Sequence, residues 1–223
     1  MQTHYTDYNG ADTVFAETYA DQWTELRTVI EALPLHLKSS DQAGIQGSLI
    51  FDPVGTNEYV KAALTGQGWS AGIPIPQRYS FLGKDVDFGK SGLIAEVQFS
   101  NYPFLLNNAL RSELFFKARL ALAGQPTGAL VIVTKAKMFP ASNSTLYYEQ
   151  AENQLTALIG HHVLDVPIRL VGLFEASDCT VDALFTEYDN ARYSRTVAER
   201  TPVRCRIQPG RGSRSRSVLS LVG

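Results

Sequence analysis

Apolar residues recur in several parts of the chain with the spacing of an amphipathic helix. Val14, Trp23 and Leu26 belong to the first such pattern, and Pro34 ends it. A helix is therefore predicted over residues 13–33. The same periodicity, closed each time by glycine, predicts further helices over residues 58–64, 104–123 and 146–159.

Other apolar runs are too short for helices and lie between turn signals, which is typical of strands. They cover residues 49–54, 85–88, 93–99, 129–134 and 167–174. The run Ile-Pro-Ile-Pro-Gln at 73–77 carries two prolines, which exclude a central strand and favour an extended edge or a loop. Strands that alternate with helices indicate an α/β or α+β core with at least some parallel pairing.

Composition narrows the class of protein without naming a function. A chain of 223 residues predicts one domain, or one domain with an elaboration. Its 44% hydrophobic and 19% charged residues exclude disordered and low-complexity classes. No apolar run approaches the roughly 20 residues of a membrane span, and the polar start argues against a signal peptide. Cys179 and Cys205 are expected to be reduced thiols of a cytoplasmic protein.

Charge is distributed unevenly along the chain. Residues 191–223 contain eight arginines and one acid, Glu199, so this segment carries +7 and the rest carries −9. Such asymmetry indicates a polyanionic partner at the basic end, or a solvated tail that binds nothing specific. We expect one folded domain over residues 1–205 and a mobile Arg/Gly/Ser-rich tail over residues 206–223.

Two acids and an amide lie around one predicted turn. Asp87 precedes the turn at 89–92, and Glu96 and Gln98 follow it on one face of the next strand. Val97 between them is expected to point into the core. Two acids at buried strands are costly unless a cation compensates them, and Mg²⁺ takes such oxygen ligands. The alternative is a surface hairpin with alternating polar residues, because the bare spacing is weakly specific.

Longer blocks of sequence resemble a known family. Residues 85–90 and 96–108 closely resemble the BglII/BstYI group of type II restriction endonucleases, within the PD-(D/E)xK nuclease superfamily. Further blocks resemble the same group in the same order: 48–57, 138–144, 147–151, 166–173 and 192–196. The likeness covers about residues 6–203 and leaves out the C-terminal segment.

The resemblance implies a mixed central sheet flanked by helices, with a smaller β-rich subdomain. It implies a homodimer that clamps duplex DNA and cuts both strands with Mg²⁺. Asp87 and Glu96 match the two catalytic acids, and the carbonyl of Val97 matches a further metal ligand. Gln98 stands where lysine is usual in the superfamily, and Val86 stands where proline is usual. The BglII/BstYI group resembles this chain in having glutamine there, and a neutral amide at that position is a candidate for orienting the attacking water.

The resemblance also assigns DNA contacts outside the acids. The matching positions are Ser100, Asn101, Asn143, Ser144, Tyr193 and Arg195. Two of them have a purely structural role as the alternative, since Ser144 suits a helix N-cap and Asn101 suits a turn before Pro103. Arg111 on the long helix is expected to contact phosphate, or to form a pair within the helix with Glu113 or a neighbour.

The expected function is that of a bacterial or archaeal type II restriction endonuclease in the cytoplasm. It would cut a palindrome with a GATC core, of the AGATCT or RGATCY type, and leave 5′ GATC overhangs. A cognate DNA methyltransferase would belong to the same system. The alternatives are a DNA-binding protein of the same fold that has lost cleavage, and a nuclease without site specificity.

Overall fold

The computed structural model describes residues 1–99, 101–142, 145–190, 196–210 and 216–222. The strands in these parts of the chain are β1 (Gln2–Tyr8), β2 (Leu35–Ser39), β3 (Leu49–Phe51), β4 (Ser70–Pro74), β5 (Asp85–Lys90), β6 (Leu93–Val97), β7 (Ala129–Lys135), β8 (Ile168–Phe174), β9 (Cys179–Tyr188), β10 (Val197–Gln208) and β11 (Val218–Val222). The helices are α1 (Ala11–Ala16), α2 (Ala20–Ala32), α3 (Pro53–Gly66), α4 (Phe104–Lys117) and α5 (Tyr148–Gly160), with a 3-10 helix at Gln77–Leu82. None of the helices described is long and apolar enough to cross a membrane.

The first sheet has six strands in the order β1-β8-β7-β6-β5-β4. Its centre is parallel, with β7 between β6 and β8, and its outer pairs are antiparallel. Every residue of β7 is buried, because helices and loops cover both faces of the central strands. The strand β4 lies at the edge, as its prolines predict, and the mixed α/β class with a mixed central sheet is confirmed.

The second sheet has the order β11-β10-β9-β2-β3 and forms the smaller β-rich part. Residues 206–208 belong to β10, and β11 pairs antiparallel with it in the register Arg206↔Ser220. The predicted boundary at residue 206 therefore falls inside a strand. The prediction of a separate tail differs from the structure because apolar Val218, Leu219 and Leu221 complete a hairpin.

Two of the predicted helices are interrupted or shorter in the structure. The helix predicted over 13–33 is divided into α1 and α2, since Tyr19 leaves helical geometry and buries its ring 6.2 Å from that of Phe15. The helix predicted over 104–123 ends at Lys117, because Arg119 takes the left-handed conformation with φ 50°.

The helix α3 begins at a strong capping site. The Asp52 carboxylate accepts hydrogen bonds from the backbone N–H groups of Val54 at 3.1 Å and Gly55 at 3.2 Å. Pro53 occupies the first helical position, where its missing N–H is not needed. The helix that begins at this cap packs against β2 of the second sheet and β4 of the first.

Candidate active site

The antiparallel hairpin β5–β6 brings the two predicted acids together. The register pairs Phe88 with Ala95, so Asp87 and Glu96 occupy the next facing positions. The backbone N–H of Val97 donates a 2.8 Å hydrogen bond to Asp87 Oδ2, which orients that carboxylate. Two residues separated by nine positions therefore share one end of the sheet.

The Glu96 side chain forms a buried ion pair that the sequence did not predict. Its Oε1 lies 2.5 Å from Nη2 of Arg111 on α4, and the two side chains are only 1% and 8% exposed. The pair with Glu113 that was predicted for Arg111 is therefore wrong, and its phosphate contact stays a prediction. Its supposed partner Glu113 instead accepts 2.8 Å hydrogen bonds from the backbone N–H groups of Asp165 and Val166. The helix α4 thus supplies the positive charge that makes a buried Glu96 tolerable.

Burial raises the pKa of both acids above the ordinary range. For Asp87, loss of solvent outweighs the Val97 N–H and the charge of Arg111, which act in the opposite direction. For Glu96, burial raises the pKa to about 8, with Arg111 opposing the shift and Asp87 adding to it. Two desolvated carboxylates that repel each other are stabilised by a nearby cation.

A cavity of about 540 Å³ opens beside Asp87. Val97 at the end of β6 and Gln98 directly after it line the cavity, and Glu96 does not contribute to its wall. Sequence reasoning missed Asn57 and Lys61, which also line it. They lie four residues apart on α3, so they share one face of that helix, and this spacing is the signal that was available.

The donor set fits a hard divalent cation. Within the described residues no group of three or more His, Cys, Asp or Glu side chains is arranged to hold a metal. Mg²⁺ does not require such a group, since it usually binds one or two carboxylates and completes its shell with water and substrate phosphate. The pair Asp87 and Glu96 meets that requirement, and its mutual repulsion gives a physical reason for a cation there.

Five of the six predicted DNA contacts fall on parts of the chain that the structure does not describe. Ser100, Asn143, Ser144, Tyr193 and Arg195 lie outside the described residues. The N-cap position of α5 is Tyr147, so the N-cap role considered for Ser144 is not met.

The sixth candidate, Asn101, is exposed and has φ 51°. Its carbonyl accepts a 2.9 Å hydrogen bond from the N–H of Phe104 at the start of α4. Asn101 therefore makes the turn before Pro103 that was considered for it, and its exposed amide remains available for other contacts.

Comparisons with known proteins agree with this architecture. The profile of the family described as restriction endonuclease BglII/BglIII matches residues 3–173. The type II restriction enzyme BglII of Bacillus subtilis is 51% identical over 207 residues, which cover 93% of this chain and 92% of the relative.

Two solved structures of the relative match over the full length of both chains. The crystal structure of BglII complexed with a DNA 16-mer has a TM-score of 0.95 at 48% identity. The crystal structure of free BglII has a TM-score of 0.78 at 45% identity. The match includes the C-terminal segment, where the sequence alone showed no likeness. The chain therefore belongs to the BglII/BglIII family of restriction endonucleases, which are type II site-specific deoxyribonucleases.

Proposed function

We propose that this chain is a homodimeric, Mg²⁺-dependent endonuclease that hydrolyses both strands of duplex DNA at a palindrome with a GATC core. The product carries 5′ GATC overhangs, and the outer base pair is A…T or the degenerate R…Y. The enzyme acts in a prokaryotic cytoplasm, where a cognate methyltransferase protects the host's own sites. The observation that carries this proposal is the pairing of Asp87 with Glu96 on one hairpin, in a chain half identical to a type II restriction enzyme.

Asp87, Glu96 and the carbonyl of Val97 are the groups that would hold Mg²⁺. When bound, the ion supplies a Lewis acid for the phosphoryl oxygen and lowers the pKa of water. The protein's own contribution is orientation. Asp87 lines the cavity and is oriented by the Val97 N–H, so it does not have to reorganise when a ligand arrives, whereas Arg111 holds the Glu96 carboxylate behind the cavity wall.

The remaining polar groups of the cavity act on water and on phosphate. The Gln98 amide offers both a donor and an acceptor, which suits it to orient an attacking water molecule without supplying charge. The exposed Lys61 also lines the cavity, and a cation at that place complements a DNA phosphate. Local cations of this kind explain how a body with net charge −9 binds a polyanion.

The helix α4 supports the homodimer. Leu106 and Leu110 are 39% and 51% exposed and lie one turn apart, and Phe104 beside them is 49% exposed. Its other face is packed into the core through Leu105 and Ala109. A second copy of the chain is the natural cover for this apolar side, because a palindromic site mirrors a protein two-fold axis.

Base recognition is assigned to the six positions that the family resemblance indicates. They are Ser100, Asn101, Asn143, Ser144, Tyr193 and Arg195. Their amide, hydroxyl and guanidinium groups are those that form specific hydrogen bonds with base edges. The residues at these positions match those that the family uses to read the inner base pairs of its site. The core of the recognised site is therefore proposed as GATC.

A digest of plasmid DNA of known sequence tests the proposal. The protein is incubated with Mg²⁺, beside lanes containing EDTA and the Asp87→Ala variant, and fragment ends are sequenced. Discrete fragments that end in 5′ GATC and vanish in both controls are expected. A smear would refute the site specificity, and intact plasmid despite retention of a GATC duplex in a gel shift would refute the cleavage.

A further inference from the structure

Lys135 is a buried lysine that the proposed chemistry does not use. It ends β7 and is 1% exposed, yet no carboxylate among the described residues forms an ion pair with it. Burial of an ammonium costs several kcal/mol unless it is well hydrogen-bonded. A specific role for this buried ammonium is therefore expected.

The Lys135 ammonium joins two segments that are far apart in the sequence. Its Nζ donates to the carbonyl of Phe99 at 2.7 Å, to Thr145 Oγ1 at 2.6 Å and to the carbonyl of Leu146 at 3.3 Å. The Thr145 hydroxyl in turn donates to the same Phe99 carbonyl at 2.5 Å. The Lys135 ammonium thus connects the segment that follows β6 to the segment that precedes α5.

A second cation reaches the same region from the C-terminal segment. Arg216 Nη1 donates a 2.8 Å hydrogen bond to the carbonyl of Ala141. Its guanidinium carbon lies 5.1 Å from the centre of the Tyr147 ring, and Lys135 Nζ lies 5.1 Å from the same centre. The neighbouring N–H of Ser217 donates to the carbonyl of Met138 at 2.8 Å. The segment from 138 to 147 is therefore held at both of its ends.

The held segments flank the proposed base readers. Phe99 directly precedes positions 100–101, while Ala141 and Thr145 lie on either side of positions 143–144. We infer that Lys135 and Arg216 are positioning residues that hold these segments in one register and so determine the enzyme's site specificity. The inference rests on the proposed function, since it deepens the account of how the same site selects DNA.

Electrostatics supports a role beyond packing. Burial, and then the charge of Arg216, lowers the pKa of Lys135 to about 7, while three acceptor oxygens stabilise its charged form. The rings of Phe51, Phe99 and Tyr147 lie within 5.8 Å of Nζ and add to that stabilisation. Among the described residues neither Lys135 nor Arg216 forms an ion pair with an acid, so the protonated pair produces a positive potential that a DNA backbone complements.

The test uses Lys135→Met and Arg216→Met, with Arg204→Met as the matched control. Arg204 is an exposed arginine of β10 whose partner is the exposed Asp182, so its removal changes charge equally without touching either segment. Single-turnover rates are measured on a cognate duplex and on duplexes with one altered inner base pair. The ratio of these rates should fall at least about fivefold in both test variants, the lower end of what one good base contact contributes. It should stay unchanged in Arg204→Met.

Hydrogen exchange of the free protein gives a readout that does not depend on cleavage. Peptides that contain Phe99 or Thr145 should exchange faster in both test variants, whereas peptides from β8 should not. Wild-type exchange in these peptides, or wild-type discrimination in both variants, overturns the inference. Wild-type protein that cuts without site preference overturns the proposed function instead, and the exchange data then decide separately whether the two cations hold the segments.

Folding is checked by thermal melting of each variant. Met is one atom shorter than lysine and donates no hydrogen bond, so Lys135→Met leaves the Phe99 and Leu146 carbonyls without this donor and should lower the thermal midpoint. Arg216→Met alters a side chain at the edge of the second sheet, so it provides the test if Lys135→Met fails to fold. Rescue of discrimination by Arg216→Lys would support the positioning role, because an ammonium there still reaches a carbonyl oxygen.

Discussion

The substitution Arg111→Met should destabilise the folded chain strongly, because it leaves the Glu96 carboxylate buried without its cation. The two side chains are 8% and 1% exposed, and the ion-pair distance is 2.5 Å. Removal of one partner from such a buried pair costs about 3–5 kcal/mol. At roughly 2–4 °C per kcal/mol for a chain of this size, the thermal midpoint should fall by about 6–20 °C.

The free energy of unfolding is measured by urea titration in EDTA at pH 8 and at pH 5.5. A carboxylate whose folded pKa is raised loses stability as pH increases through the range between its unfolded and folded values. Burial already raises the Glu96 pKa to about 8, and removal of Arg111 raises it further. The loss in the free energy of unfolding of Arg111→Met should therefore be larger at pH 8 than at pH 5.5. At pH 5.5 Glu96 binds a proton and is neutral, so no unpaired charge is buried.

Two further variants make the measurement decisive. Arg111→Met combined with Glu96→Gln buries neither charge and should recover most of the loss. Lys117→Met on the same helix removes a cation from an exposed pair with Asp165, and it should cause no measurable change. A loss below about 1 kcal/mol in Arg111→Met, or no recovery in the double variant, would refute the reasoning.

Three other substitutions probe separate contacts. His36 is buried and both of its ring nitrogens are unpaired within the described structure, and burial lowers its pKa to about 4. Wild type should lose up to about 3 kcal/mol as pH falls from 6.5 to 4, and His36→Phe should lack that component in urea titrations at several pH values. Tyr188→Phe deletes a 2.7 Å hydrogen bond to the buried Asp52 carboxylate and should cost about 1.5–3 kcal/mol by the same titration. Gln98→Ala should slow single-turnover DNA cleavage while duplex binding in a gel shift stays intact, and near-normal cleavage would count against its role in orienting water.

The central strands could be predicted from the sequence, whereas several peripheral ones could not. Parallel strands at 93–97, 129–135 and 168–174 are buried on both faces, so each appears as a continuous apolar run. The strands β1, β9 and β10 are only half-buried and carry many polar residues. Their stabilisation comes from pairing with distant segments, which no local pattern reports.

The same distinction holds at the candidate site. Asp87 and Glu96 could be placed together because a short turn between two strands is a local signal. Arg111 and Lys61 could not, since each comes from a different helix that meets the hairpin only in the folded chain. The contacts of Arg216 escaped prediction for a related reason, because arginine-rich composition predicts a solvated tail.

Single-turnover cleavage of an end-labelled duplex with a central GATC hexamer tests the role of the paired acids most directly. Wild type and Asp87→Asn are compared in Mg²⁺, and their affinities are compared in Ca²⁺ by gel shift. Both proteins should bind the duplex, wild type should cut both strands, and Asp87→Asn should be slower by at least about a thousandfold, the effect of several kcal/mol on the barrier. Cleavage by Asp87→Asn within tenfold of wild type would contradict the assignment of the active site to the β5–β6 hairpin.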